Sequence, residues 1–570
     1  MQFTEQQLIE TLDKLDFIKC FDELVYSENI VTFKVIFKFE LLQDELEFEV
    51  TIYPKYPFKW DSSETIIFKN KDLIEYSHIM GDGSICFHNR HATQFETKLI
   101  HDFQSIKQWI EKYYINGETD DHYEHLIKNP APIDNMYYSY QFTDVEHCFS
   151  KNEFGTVSLY QLSLSNYRDA NITNYMVQRF NSVGLESYPC DWNDFYLQSS
   201  SNSYPGIYIF IKDKPVLHNR FLYTKWEQFS EFLPEEFLGF IARYLIEMRG
   251  KISDKNLLPL FIGYDIPNNK VHWQVALVDI KSANLFFQPS LDVTGQTCYS
   301  LKNQAINWAI CDNLSYEYFF GRGRFCDDLV NKKILIIGVG AVGSNVAKTL
   351  VRGGCRLIDL ADFDTKHPEN ICRSEYEFTY AYCNKTEELS ILLNSISPFV
   401  TVGRYHDWFT KLIKNDLSKN EMEIYEEWLA KYDFIFDCST DDDLMYLLNQ
   451  LEFNGKVINL SITNHANELV CGISPNNYRF VIHQFGRLLK NDAIDMYNPT
   501  GCWSPTFKAS YNDVATLTQY ALKIINGMID TKTLTSFVIH YDENQNLKLE
   551  KLRYSPMSRP NNHKIKIELG

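Results

Sequence analysis

One short run constrains the fold of this chain more than any other: GVGAVG, from Gly338 to Gly343. The residues up to and including its first glycine, KILIIG, predict a strand buried on both faces, and a helix-like run follows the turn. The strand-like runs RLIDLAD and FIFDCS come later, with helical sequence between them. Such alternation predicts a parallel sheet covered by helices. Because a glycine turn before a helix lets backbone amides approach phosphate, we expect a nucleotide-binding α/β domain here.

The composition limits the classes of function. At 570 residues the chain is long enough for about three or four domains. A net charge of −20 disfavours direct nucleic-acid binding. No apolar run approaches the roughly 20 residues of a membrane span, and the N-terminus is acidic, so we expect a cytoplasmic protein with no membrane partner. Thirteen cysteines without a CxxC pair indicate reduced thiols.

The pattern along the chain predicts a multidomain protein of α/β and α+β class with three segments, 1–145, 146–315 and 316–570. The first opens with a capping box at Thr4 and a helix to about Cys20. The alternating runs VTFKVIFKF and LEFEVTI then predict an antiparallel meander with one solvent-facing side, followed by a short strand TIIF and a helical run IHDFQSIKQWIEKYY. The middle segment mixes strand-like pieces with one long helix, EEFLGFIARYLIEMR, and carries no chemical motif.

The residues after the glycine turn distinguish between nucleotides. Asp362, at the end of the second predicted strand, is placed to accept a ribose hydroxyl, which suits NAD and ATP equally. ATP brings three phosphates and Mg²⁺, and therefore calls for cations and a carboxylate. Arg373 and Lys385 would neutralise charge that builds at the α-phosphate, and Asp441 would hold the metal ion. Each of these residues alone is an ordinary surface charge, but their joint order favours ATP with Mg²⁺.

The motifs GVGAVGS, LADFD, NICR, NK and DCSTD resemble the ThiF/MoeB family, which includes the adenylation domains of ubiquitin-activating enzymes. The resemblance covers about residues 316–530. It implies a homodimer in which an arginine upstream of the first strand, Arg322 or Arg324, reaches the partner's site. It also implies an ATP site formed by Gly338, Gly340, Gly343, Asp362, Asp364, Asn370, Arg373, Lys385 and Asp441.

A cysteine late in this domain is a candidate nucleophile. Cys502 stands in the loop-like run NPTGCWSPTF, ahead of the helical run DVATLTQYALKIINGM. The thiol-forming members of the family are similar here, and a thiolate can capture an acyl-adenylate as a thioester while AMP leaves. The other cysteines of the domain stand in strand or helix contexts that favour buried, inert thiols. These are Cys355, Cys372, Cys383, Cys438 and Cys471.

The first segment resembles the ubiquitin-conjugating fold through YPKYPFKW and GDGSICFH, which place Cys86 at the conjugating cysteine. The family's His-Pro-Asn is replaced by Tyr76-Ser77-His78. His78 is an imidazole that can donate a hydrogen bond or act as a base, and we treat it as a catalytic candidate. His88 and His91 stand where the family carries a tryptophan-containing segment.

A conjugating-like domain fused ahead of an adenylation domain resembles the bacterial enzymes of CBASS anti-phage operons. That resemblance implies a partner with a reactive C-terminus, either a ubiquitin-like protein or a cGAS-like cyclic-oligonucleotide synthase, and a protein or small-molecule amine acceptor. Fusion places Cys502 and Cys86 at roughly millimolar effective concentration for a thioester relay.

Three alternatives remain open at the level of sequence. A sulfur-carrier activator would use the same adenylation for cofactor synthesis. An NAD-binding regulatory protein would use the glycine turn for a dinucleotide. A scaffold derived from an enzyme would bind ATP without turnover.

Overall fold

The computed structural model describes residues 3–39, 45–61, 63–87, 90–119, 130–198, 203–218, 220–248, 257–266, 270–280, 286–406, 419–489 and 509–551. The chain divides into two units. One contains Met1–Phe142, His147–Tyr188 and Ser203–Asn313; the other contains Thr143–Glu146, Pro189–Asn202 and Leu314–Gly570. Both combine helices and sheets, which confirms the predicted mixed multidomain class.

The strand Lys333–Ile337, which carries the apolar run KILII, lies inside the sheet of the second unit. Ile334 and Ile336 belong to one apolar core, whereas Leu335 and Ile337 belong to another. Because side chains alternate along a strand, both sheet faces are covered, and an uninterrupted apolar run satisfies both. Five parallel strands are extended by three antiparallel ones. In spatial order they are Thr401–Tyr405, Leu357–Ala361, Lys333–Ile337, Phe434–Asp437, Lys456–Thr463, Glu468–Ile473, Phe537–Tyr541 and Leu547–Lys551.

Helices cover both faces of this sheet. Ala341–Arg352 and Tyr511–Asp530 pack together over the first core. Asp442–Gln450 contributes Leu444 and Leu448 to the second core. Nowhere in the described ranges is there a helix long and apolar enough to cross a membrane. The remaining helices of this unit are Asp194–Leu197, Tyr316–Phe320, Asp327–Val330, Lys385–Ile396, Lys419–Leu429 and Asn477–Leu488, with short 3₁₀ turns at Pro368–Arg373 and Phe378–Tyr380.

The first unit begins with the helix Glu5–Leu12, whose start has the predicted capping box at Thr4. The prediction that this helix extends to about Cys20 is wrong. Residues Ile18–Phe21 instead form a strand that pairs antiparallel with Ile30–Phe37. Tertiary strand pairing therefore outweighs the local helical pattern in this stretch.

The predicted meander is confirmed as an antiparallel sheet. Burial alternates along Ile30–Phe37 and Leu46–Ile52, so one face packs inward and the other faces solvent. The helix Phe95–Trp109 covers the inner face through Leu99 and Phe103. The sheet order is Ile18–Phe21, Ile30–Phe37, Leu46–Ile52 and Ile66–Lys69, with Val25–Ser27 also paired to the second of these.

A buried polar group ties that helix to the turn after the meander. The Tyr56 hydroxyl donates to Asp102 Oδ2 at 2.8 Å, and Lys98 forms an ion pair with the same carboxylate. Asp102 has no exposed side-chain surface. Burial raises the pKa of the Asp102 carboxyl above its ordinary value, although Lys98 and Tyr56 act in the opposite direction. The group therefore fixes the helix at a cost in desolvation.

The rest of this unit is built on a mixed sheet. The helix Glu235–Glu247 connects Ser203–Lys212 to Leu257–Ile266, which run parallel as neighbours. Two small hairpins are added: Val216–Leu217 with Phe221–Leu222, and Phe287–Leu291 with Thr297–Leu301. The sheet order is Lys270–Asp279, Leu257–Ile266, Ser203–Lys212, Glu153–Tyr167, Ala170–Ser182, Met136–Phe142 and Ile310–Asn313, with Ser187–Pro189 paired to Ala170–Ser182.

Candidate active site

The glycine turn has no room for side chains at two positions. Gly338 has a φ of +77°, and a Cβ there would lie 2.5 Å from the Cα of Ser439. A Cβ on Gly343 would lie 2.0 Å from the carbonyl oxygen of Gly338. Gly340 is the residue before the helix Ala341–Arg352. The glycines therefore let the first turn of this helix sit against the end of its strand, which leaves the amide end of the helix open to a phosphate.

Asp362 follows the strand Leu357–Ala361 and organises the turn beside it. Its Oδ2 accepts the Val339 N–H at 2.8 Å, and its Oδ1 accepts the Asp364 N–H at 2.8 Å. Burial raises the pKa of the Asp362 carboxyl above its ordinary value, and the nearby Lys385 lowers it. The carboxylate is thus partly desolvated and held by backbone amides at the mouth of the glycine turn.

Two cations lie beside these residues. Lys385 Nζ is 2.8 Å from Asp364 Oδ2, and the lysine side chain is 12% exposed. Arg373 ends the 3₁₀ turn Pro368–Arg373. Both line a cavity of about 380 Å³. Its other lining residues include Gly338, Gly340, Ala341, Asp362, Asp364, Ser439 and Thr440, so glycine turn, carboxylates and cations share one space.

Asp441 is the residue before the helix Asp442–Gln450, which follows the strand Phe434–Asp437. Its Oδ1 accepts the Leu444 N–H at 3.0 Å and so caps that helix. The strand before it ends at Asp437, which is fully buried and accepts from Ser439 Oγ at 2.7 Å and Asn459 Nδ2 at 2.9 Å. Burial raises the pKa of the Asp437 carboxyl, while these donors lower it. Asp437 therefore fixes the turn that presents Asp441.

Sequence reasoning missed three side chains here. Phe363, Tyr405 and His406 line a second cavity of about 130 Å³, together with Asp362 and Asp441. The last two of the three lie at the carboxyl end of a parallel strand, where ligands of open α/β sheets bind. Recognition of TVGRY as a parallel strand would therefore predict that Tyr405 and His406 lie near the site.

Three predicted ATP-site residues are not among the lining residues of either cavity: Gly343, Asn370 and Arg324. Asn370 Oδ1 accepts the His367 N–H at 2.9 Å and closes the start of the 3₁₀ turn. Arg324 pairs with Asp327, with Nη2 and Oδ1 2.6 Å apart. A role for Arg322 or Arg324 in a partner's site stays a prediction.

The cysteine loop, residues 77–87, presents Cys86 as an exposed thiol. The Cys86 N–H donates to the His78 carbonyl at 2.7 Å, which places the two candidate residues side by side on the backbone. His78 has a φ of +61°, and its ring centroid lies 4.8 Å from that of Tyr113. His91 is exposed, whereas His88 lies outside the described residues.

The remaining cysteines of the second unit differ in exposure. Cys355, Cys438 and Cys471 are buried, as predicted, and burial raises the pKa of each thiol. Cys372 is exposed, so the prediction of a buried thiol is wrong for it; it lies on a 3₁₀ turn at the surface. Cys383 is half-buried. Cys502 lies outside the described residues.

Comparisons with known proteins give the family of this region: residues 313–462 match the ThiF family. The chain is 26% identical over 275 residues to the ATP-dependent ubiquitin transferase-like protein Cap2 of Enterobacter hormaechei subsp. hoffmannii, covering 45% of this chain and 44% of that protein. It is 32% identical over 123 residues to the adenylyltransferase and sulfurtransferase MOCS3 of Drosophila virilis, covering 21% and 25%. A crystal structure of E. coli MccB with AMPCPP and MccA aligns with 41% of this chain and 67% of that chain, at 17% identity and a TM-score of 0.29.

Residues 313–462 are therefore similar to the ThiF family. The chain's match spans less than half the length of the curated relatives named above.

Proposed function

We propose that this protein is an ATP-dependent enzyme that adenylates the C-terminus of a ubiquitin-like protein or a cGAS-like cyclic-oligonucleotide synthase. The acyl group then passes as a thioester from Cys502 to Cys86 and finally to an amine on a protein or small molecule. The enzyme acts as a cytoplasmic homodimer in a bacterial anti-phage conjugation system. The similarity to Cap2, an ATP-dependent ubiquitin transferase-like protein, supports this proposal.

One observation carries the adenylation step: Arg373 and Lys385 line the cavity that the glycine turn opens into. A dinucleotide pyrophosphate carries less charge than a triphosphate under attack by a carboxylate, so two convergent cations favour ATP over NAD. Their position next to the helix start Ala341–Arg352 adds the favourable end of the helix dipole.

The reaction follows from these charges. A C-terminal carboxylate oxygen of the partner attacks the α-phosphorus, the bond to the β-phosphate oxygen breaks, and pyrophosphate leaves with the electron pair. Arg373 and Lys385 stabilise the added negative charge in the transition state. A cysteine thiolate then attacks the acyl carbon of the mixed anhydride, and AMP leaves.

The donor set at Asp441 fits Mg²⁺. One carboxylate oxygen is used for the helix cap, which leaves Oδ2 for a hard cation that also takes phosphate oxygens and water. Within the described ranges there is no group of three or more His, Cys, Asp and Glu side chains suited to hold a metal ion. When bound, Mg²⁺ would offset phosphate charge, and Asp441 would orient it.

The adenylation step is tested by exchange of labelled pyrophosphate into ATP, using as partner a ubiquitin-like protein or a cGAS-like synthase with a free C-terminus. We expect Arg373→Ala and Asp441→Asn each to lower the exchange rate by at least about tenfold. The control is Lys548→Ala, which removes an exposed lysine 3.4 Å from Asp542 in the last strand pair. Equal exchange rates in wild type and in all three variants would contradict the proposal. Exchange without any added partner protein would favour a different substrate.

The relay is tested with cysteine variants and non-reducing gels. Wild type should form DTT-sensitive adducts on both cysteines, whereas Cys86→Ala should retain only the Cys502 adduct. Cys502→Ala should retain pyrophosphate exchange and lose the Cys86 adduct. Cys20→Ala, which removes another exposed thiol of the first unit, is the matched control. Normal charging of Cys86 in Cys502→Ala would show that the relay order is wrong.

The similarity to MOCS3, named as an adenylyltransferase and sulfurtransferase, supports a second candidate function. In a sulfur-carrier activator the acyl-adenylate receives sulfur and becomes a thiocarboxylate. Mass spectrometry of the partner protein separates the two reactions. A gain of one sulfur in place of the terminal oxygen, with no acyl adduct on Cys86, would favour sulfur transfer.

A further inference from the structure

A hairpin of the middle segment contacts the cysteine loop within the first unit. This 216–222 hairpin pairs Val216–Leu217 with Phe221–Leu222, and its residue Asn219 lies outside the described residues. The guanidinium of Arg220 donates from Nη1 to the carbonyl oxygen of Ile79 at 3.0 Å. The ring of Phe221 lies against Gly81, where an added Cβ would be 3.7 Å from ring atom Cε1.

The contacted carbonyl belongs to the backbone that holds Cys86. Ile79 pairs with Ile85 as an isolated antiparallel bridge, and the preceding carbonyl, that of His78, accepts the Cys86 N–H at 2.7 Å. The Ile85 N–H donates to Phe68 at 2.9 Å, which joins the loop to the meander. A displacement of Ile79 would therefore move the hydrogen-bonded neighbour of the cysteine.

Arg220 is unusual in its burial, with only 5% of its surface exposed. A guanidinium keeps its charge at physiological pH, and a buried charge is costly unless it is well compensated. The guanidinium carbon also lies 5.1 Å from the centroid of the Phe221 ring. An apolar side chain would serve simple packing, whereas an arginine also donates the hydrogen bond to the Ile79 carbonyl.

We propose that Arg220 is a positioning residue for acyl transfer at Cys86, and that the 216–222 hairpin supports the cysteine loop. By holding the Ile79 carbonyl, Arg220 keeps residues 78–86 in one arrangement, so that the thiol meets its thioester partner with the correct geometry. This gives the middle segment a role in the transfer chemistry. The proposal rests on the transfer to Cys86 proposed above.

The test compares Arg220→Met, Arg220→Lys and the control Arg243→Met in the full chain. Arg243 is an exposed arginine of the helix Glu235–Glu247. The probe is a ubiquitin-like protein with a free C-terminus, with free lysine as amine acceptor. We expect Arg220→Met to charge and discharge Cys86 about tenfold more slowly than wild type, because small misplacements of a reacting group are costly. Arg220→Lys, which keeps a donor and the charge, should recover most of the rate, and Arg243→Met should match wild type.

Two further readouts separate this role from a general loss of stability. Pyrophosphate exchange should be unchanged in all three variants. Amide hydrogen exchange in Arg220→Met should increase in the cysteine loop but not in the strand Leu46–Ile52. Exchange that increases equally in both segments would reduce Arg220 to a fold-stabilising residue and overturn the proposal, as would a normal Cys86 rate in Arg220→Met. If wild type exchanges pyrophosphate but never acylates Cys86, the relay and this proposal both fail, while adenylation stands.

Discussion

Replacement of Lys385 by methionine removes a positive charge from the nucleotide cavity and keeps a side chain of similar length. The lysine is 12% exposed, and its Nζ lies 2.8 Å from Asp364 Oδ2. Asp364 itself is 51% exposed, so water can solvate its carboxylate when the partner is lost. We therefore expect Lys385→Met to change the reaction and to leave the fold of the second unit intact.

The expected loss of transition-state stabilisation in Lys385→Met is set by the interaction of the lysine charge with the reacting phosphate. Two unit charges about 4 Å apart attract by about 4 kcal/mol at an effective dielectric constant near 20. The ion pair with Asp364 already offsets part of the lysine charge, so we take about 2.7 kcal/mol as the loss, at the lower end for removal of one transition-state donor. At about 1.4 kcal/mol per factor of ten, the exchange rate should fall about 100-fold.

Pyrophosphate exchange at saturating ATP measures this loss directly. The control is Lys332→Met, because Lys332 Nζ pairs with Asp433 Oδ1 at 3.1 Å at the other end of the strand Lys333–Ile337. We expect kcat to fall while KM for ATP changes little, since the charge acts mainly in the transition state. A loss below about threefold, or an equal loss in the control, would refute the electrostatic reasoning.

Two other predictions concern the glycine turn and the buried carboxylate of the first unit. Gly338→Ala would force a Cβ to 2.5 Å from Ser439 at a φ of +77°, so we expect ATP binding, measured by calorimetry, to be lost. Because burial raises the folded-state pKa of Asp102, the stability of Phe95–Trp109 should fall as pH rises from about 4 through that pKa. Amide hydrogen exchange should show this loss of helix stability with rising pH in wild type but not in Asp102→Asn. The same pH profile in both proteins would contradict the prediction.

Local patterns were enough to predict elements whose environment is simple. The run KILII indicated a strand buried on both faces, and LEFEVTI indicated one with a single buried face; both are confirmed. The predicted first helix is too long, because the local sequence does not show that Ile18–Phe21 pairs with a strand later in the chain. Pairing of this kind depends on tertiary contacts that a local pattern does not contain.

The candidate site shows the same limit. Arg373 and Lys385 were predicted from their order after the glycine turn, and they line one cavity; their catalytic roles remain predictions. Phe363 and His406 were missed, because their chemistry is not distinctive and only the closing of the sheet brings them to the cavity. The contact of Arg220 with Ile79 spans 141 residues of sequence, and no motif marks it.

Because Arg220 and Ile79 are far apart in sequence, recombination between their segments can separate them. The cysteine and the loop that bears it are encoded in the first 115 residues, but one hydrogen-bond donor to that loop is encoded 141 residues after the residue it contacts. A recombination event that exchanged only the first segment would separate Arg220 from the Ile79 carbonyl. The two segments should therefore be inherited together, and grafting the cysteine domain onto another enzyme should require the hairpin as well.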